Sequence, residues 1–159
     1  MSVALSLHVL AAVIWVGGMF FAYMALRPSA ATLLEPPLRL SLWKAVFSRF
    51  FPWVWLAIII ILASGYWMIF QHYGGMKTTP LFVHIMHGLG LVMMLIFLHV
   101  FFAPYRRLTK AVNDTRWPEG GKALNQIRIL IAINLLLGLI TVVVASGGKY
   151  FLSYKALLG

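Results

Sequence analysis

LSLHVLAAVIWVGGMFFAYMAL, residues Leu5–Leu26, contains no Asp, Glu, Lys or Arg, and the charge-free run reaches back to Met1. A helix crossing the hydrocarbon core of a bilayer needs about 20 such residues. Three further runs meet the same requirement: Phe50 to Met76, Thr78 to Tyr105 and Ile129 to Gly148. Lipid offers no partner to backbone N–H and C=O groups, so each run must close its hydrogen bonds internally as a helix. Across the 159 residues, 62% are hydrophobic and 10% charged, against roughly 25% charged in a soluble domain. The mean hydropathy is +0.93. A soluble globular protein is excluded, because a core of this size cannot hide that much apolar surface from water.

Thirteen Lys and Arg against three Asp and Glu give a formal charge of +10. Between the first two spans lie Arg27, Arg39, Lys44 and Arg49; between the last two lie Arg106, Arg107, Lys110, Arg116, Lys122 and Arg128. Cationic loops stay in the cytoplasm. Only Lys77, Lys149 and Lys155 fall on the other side, so both termini are expected to face the periplasm or exterior. The excess is a topology signal, and neither basic loop is long enough for the groove or stacking surface that nucleic acid requires. A cleaved leader is the competing reading of the first span. It lacks a basic start, and its apolar run is too long for one.

The expected fold is an all-α integral membrane protein, a four-transmembrane-helix up-and-down bundle in one domain, 1–159. Helices are expected at about 3–26, 51–72, 80–103 and 126–147, with an interfacial helix at about 37–50 that mixes Trp43 and Phe47 with snorkelling cations. Tyr66, Trp67, Tyr73, Tyr105 and Trp117 suit interfacial belts.

A weak internal repeat sets Leu5-Ser6-Leu7-His8-Val9 over Leu81-Phe82-Val83-His84-Ile85, Pro28 over Pro104, and Ala63-Ser64-Gly65 over Ala145-Ser146-Gly147. It predicts two hairpins of like direction, related by a pseudo-twofold along the membrane normal. With neighbours spaced about 10 Å apart, the first and third helices would then face each other across a diagonal of about 14 Å. Twenty residues separate each histidine from its proline, about 30 Å at 1.5 Å per residue, so His8 and His84 are expected at one depth near the periplasmic face. His87 follows His84 by one turn, and His72 leaves the second helix at the same end.

Ionisable groups within lipid usually serve a site, and neutral imidazole is the commonest metal ligand. The expected metal ligands are His8, His84 and His87, with His72, Gly18, Trp15 and Asn134 completing a cofactor-binding set. His99, near the opposite end, is read as structural. With no cysteine, thiolate sites and covalent c-type haem are excluded. The three acids Glu35, Asp114 and Glu119 all lie in the basic loops, so a hydrolytic zinc site has no general base. Haem b needs axial imidazoles and a dry slot, for which Gly17, Gly18, Gly88 and Gly90 offer space and Lys77, Lys149, Tyr73 and Tyr150 offer propionate partners. Copper wants imidazole with thioether sulfur, and Met68, Met76 and Met86 lie near the histidines in sequence.

The run from His8 to Phe21, together with Leu26-Arg27-Pro28, resembles the first helix of the bacterial copper-resistance D family of membrane proteins. His84-Ile85-Met86-His87-Gly88 and Pro104-Tyr105-Arg106-Arg107 resemble later parts of the same family. That resemblance implies copper uptake, transport or tolerance in the bacterial inner membrane. The first helix is also similar to that of HemJ-type protoporphyrinogen oxidases, which implies haem b held by His8; where those enzymes carry a lysine in the third helix, this chain has Gly88. The sequence reading places a haem b redox protein first, with electron transfer or a haem-dependent oxidoreductase activity. Copper handling comes second and a structural membrane subunit third. The implied partners are the lipid bilayer and either a redox partner or further copies of the chain.

Overall fold

The computed structural model describes the backbone of residues 2–157 and the side chains of residues 2–148. The side chains of Lys149, Tyr150 and Lys155, assigned above to topology and propionate contacts, lie outside the described residues. Six α-helices follow in order: α1 (Ser2–Phe21), α2 (Arg27–Leu33), α3 (Pro36–His72), α4 (Leu81–Phe102), α5 (Pro104–Asn113) and α6 (Trp117–Leu157). There is no strand among the described residues. Four segments are long and apolar enough to cross a membrane: Ser2–Leu33, Pro36–His72, Leu81–Asn113 and Trp117–Gly148. Large apolar side chains such as Val3, Val13, Phe20, Ile59, Leu95 and Val143 point outward on all of them, as a lipid-facing surface demands.

The spans run further than their charge-free cores. Pro28 does not end the first span. A π-helical turn, Ala22–Leu26, precedes it, and Arg27 N–H reaches back to the carbonyl of Ala22. This wider register accommodates a proline ring that an α-helical carbonyl four residues earlier would obstruct. Pro104 does mark a break, at Ala103 with φ −111° and ψ −84°.

The expected separate interfacial helix at 37–50 is instead the first part of α3, which passes through Pro52 without interruption. A proline inside a helix costs about 3 kcal/mol. Against that, Phe51 alone stacks on Phe47 at 5.1 Å and meets Phe97, Phe101 and Tyr105 at 5.4, 6.0 and 4.9 Å. At about 0.5–1.5 kcal/mol per aromatic pair, the ring contacts offset the proline.

The last span likewise starts early, at Trp117. Gly120, Ala123, Leu124 and Ile127 are buried while Glu119 and Lys122 are exposed, the periodicity of an amphipathic helix. That face packs on Leu108 and Ala111 of α5. Arg116 in the intervening turn pairs with Asp114 at 2.8 Å and with Glu119, and the two carboxylates hold its guanidinium above the ordinary arginine range.

α1 packs along α3, and α4 along α6, as two hairpins that meet through α5, α6 and the aromatic residues. Phe97 of α4 joins them, contacting Trp15 of α1 at 6.3 Å and Trp55 of α3 at 5.4 Å. The densest packing lies at the end with the basic loops, where Leu108 and Ile127 are fully enclosed and Phe47 is 2% exposed. Toward the histidine end the buried residues thin out, with Ser64, Ile69 and Thr79 among the few.

Candidate functional site

His8 is half-buried on α1 between exposed Leu7 and Val9, and its Nδ1 lies 2.9 Å from Oγ of Ser64 on α3. Ser64 is 8% exposed. Its hydroxyl also sits 2.5 Å from the carbonyl of Ile60. A hydroxyl has one hydrogen. With that hydrogen given to the carbonyl, Ser64 accepts from His8, which assigns the ring proton to Nδ1. The lone pair is then on Nε2, free to take a metal. A metal-binding histidine is normally held this way, donating its other N–H to a fixed acceptor.

Gly65 completes the seat. A Cβ there would stand 3.3 Å from Cε1 of His8, so the ring lies closely over a residue without a side chain and would have to give by a few tenths of an ångström to admit one. Ser64 and Gly65 are positioning residues outside the site set expected from sequence, although Ala63-Ser64-Gly65 carried the signal as part of the repeat.

The other histidines have different partners. Nε2 of His87 lies 3.0 Å from the hydroxyl of Tyr66, with the rings edge to face at 5.4 Å. Tyr66 thus ties α3 to α4, beyond the interfacial role its sequence position suggests. His84 is exposed, and its Nδ1 donates to the carbonyl of Pro80 at 3.2 Å, which also leaves Nε2 unoccupied. His72 is exposed and stands edge-on to Tyr73 at 4.8 Å. Among the described residues no three of His, Cys, Asp and Glu come together as a metal cluster.

The reason lies in α3. Ser64 and Tyr66 are two residues apart, and such residues point to different sides of a helix. The His8 pair and the His87 pair therefore occupy separate faces. His99 accepts weakly from Gln126 at 3.4 Å near the basic end, a structural contact.

Trp15 and Asn134, each 3% exposed, line one small cavity with Met19, Phe51 and Phe97. About 20 Å³ of it is open to the centre of a water-sized sphere. That space holds about one water, whereas small-molecule pockets measure roughly 300–1,000 Å³. Gly18 faces the ring of Phe50, and a Cβ there would run into it. Haem does not fit between these residues. Oδ1 of Asn134 is buried without a partner, and a single water is the group that suits it.

Met68 follows Ser64 by one turn, on the same face of α3, and is half-buried. With the acids Glu35, Asp114 and Glu119 confined to the basic end, the donors at the histidine end are neutral imidazole and thioether. Neutral soft donors suit a monovalent soft cation better than a divalent one.

A family model described as copper resistance protein D matches residues 44–147 of the chain. Neither the curated proteins nor the solved structures yield a match.

Proposed function

We propose, from the premise that this chain belongs to the copper resistance protein D family, that it binds copper at the histidine end of the bundle, for uptake, transport or tolerance. Copper is the cargo. His8 supplies Nε2 and Met68 supplies thioether sulfur, while Ser64 and Gly65 fix the imidazole. The single observation behind this reading is the Ser64 hydrogen bond, which turns the unprotonated nitrogen of His8 outward from α3. His84, with its own free Nε2, is the natural first contact for an ion arriving from the same side. Basic loops retained in the cytoplasm orient the histidine end toward the periplasm, in the inner membrane.

The donors are neutral, so the bound ion keeps its charge, and charge within lipid is costly. Such a site holds copper loosely enough to release it. The opposite half is closed by Phe47, Leu108 and Ile127, so transfer across the whole bilayer needs several copies or a partner chain. Haem b redox chemistry, first in the sequence reading, loses its support at Gly18, Trp15 and Asn134, where no cradle exists.

Titration of the detergent-purified protein with Cu(I) against a chromophoric chelator tests the proposal. One-to-one binding that His8→Ala weakens at least tenfold and His99→Ala leaves unchanged is expected. Equal affinities in all three proteins would remove the reading and leave a structural subunit in its place.

A further inference from the structure

At the basic end, beside the break at Ala103, a surface groove of about 380 Å³ runs along α5 from Phe101 and Tyr105 to Asn113 and Asp114. Arg106, Thr109 and Lys110 line its middle. Positions 106, 109, 110 and 113 follow helical spacing, so their side chains share one face. That face presents a guanidinium, a hydroxyl, an ammonium and a carboxamide, a donor-rich set matched to phosphate oxygens.

Four details make it more than a charged surface. Oγ1 of Thr109 is enclosed and has no hydrogen-bond partner, although a helical threonine ordinarily bonds the carbonyl one turn back. The guanidinium of Arg106 lies over the ring of Phe102, 4.9 Å from its centroid, which holds the cation where the apolar span ends. Lys44 of α3 donates to Oδ1 of Asn113 at 2.5 Å, so the amide hydrogens of Asn113 remain free. The one acid on the rim, Asp114, is paired with Arg116 at 2.8 Å.

The groove is also polar at one end and aromatic at the other, where Phe101 leads to Phe102, 50% exposed on a lipid-facing helix. A free anion has no use for that end. We propose that this groove binds an anionic phospholipid, its phosphate between Arg106, Thr109 and Lys110 and its acyl chain along Phe101 and Phe102. The proposal is independent of copper binding.

Native mass spectrometry of the full chain, in micelles containing equal phosphatidylglycerol and phosphatidylcholine, reads it directly. The wild type is expected to retain phosphatidylglycerol preferentially. Arg106→Gln with Lys110→Gln should reduce that retention on the order of 30-fold, the effect of two basic residues at an anionic lipid surface. Thr109→Val should reduce it several-fold with every charge intact, and a paired change on the same end outside the groove, Arg49→Gln with Lys122→Gln, should leave it unchanged. Equal loss in the outside pair, no preference in the wild type, or displacement of the lipid by an equal concentration of inorganic phosphate would each overturn the proposal. Gel-filtration profiles matching the wild type establish that the variants are folded.

Discussion

Replacing Ser64 with alanine removes one atom and leaves the rest of the interface between α1 and α3 in place. Oγ is lost from a position 2.9 Å from Nδ1 of His8, in a site that is 8% exposed. Water cannot freely replace it, so the Nδ1 proton loses its serine acceptor, which costs about 1–3 kcal/mol. The imidazole can escape that cost by rotating or by moving its proton to Nε2, and either response withdraws the metal-binding nitrogen. At 1.4 kcal/mol per factor of ten, the expected weakening of Cu(I) binding is about 10- to 100-fold. Changes to groups that orient metal-bound histidines have effects of that size.

Competition titration against a chelator measures the affinity. A thermal-denaturation scan in the same detergent separates it from stability, where a loss of only about 1 kcal/mol is expected for one hydrogen bond. Ser64→Thr, which keeps the hydroxyl, should recover most of the affinity. If Ser64→Ala binds Cu(I) as tightly as the wild type while His8→Ala does not, the serine does not orient the ring and the tautomer argument is wrong.

Gly65→Ala sets a methyl 3.3 Å from Cε1 of His8; the ring must give by a few tenths of an ångström, and a several-fold weakening of copper binding with an unchanged melting temperature is expected by the same titration. Asn134→Leu removes a buried oxygen that has no protein partner and fills the water-sized space beside it, so its melting temperature should equal or exceed that of the wild type; a marked fall would mean that a bound water holds Oδ1 in the folded protein. Phe51→Ala deletes the ring shared by Phe47, Phe97, Phe101 and Tyr105 and should cost about 3–5 kcal/mol, enough to unfold most of the sample in a denaturant series that leaves the wild type intact. A loss below about 1 kcal/mol would show that Pro52 is tolerated for another reason.

Four spans were legible in the chain because charged residues are so rare that their gaps stand out, and lipid permits only helices in those gaps. Their lengths were less legible. Pro28 falls just past the expected end of the first helix, yet a π-helical turn carries that span beyond it, and aromatic packing around Pro52 joins the expected interfacial helix at 37–50 to the second span. Both depend on tertiary surroundings that a local signal cannot contain. The amphipathic start of α6 was missed for a similar reason: Glu119, Lys122 and Arg128 mark the segment as a loop until the buried stripe from Gly120 to Ile127 is set against α5.

At the candidate site, the depth of His8 and His84 could be counted from their prolines, but the direction of each ring could not. Convergence failed on a simple point of helix geometry, since the partners on α3, Ser64 and Tyr66, are two residues apart. Tyr66 looked like an interfacial anchor because its partner, His87, is 21 residues away. Gly18 looked like open space because nothing in the sequence announced that Phe50 would fill it.

X-ray absorption at the copper edge on Cu(I)-loaded, detergent-purified protein addresses the central claim most directly, because it identifies the atoms around the ion. A first shell containing one imidazole nitrogen and at least one sulfur, with the imidazole signal lost in His8→Ala, is the expected result. An unchanged imidazole signal in His8→Ala, or a shell of oxygen alone in the wild type, would contradict the account.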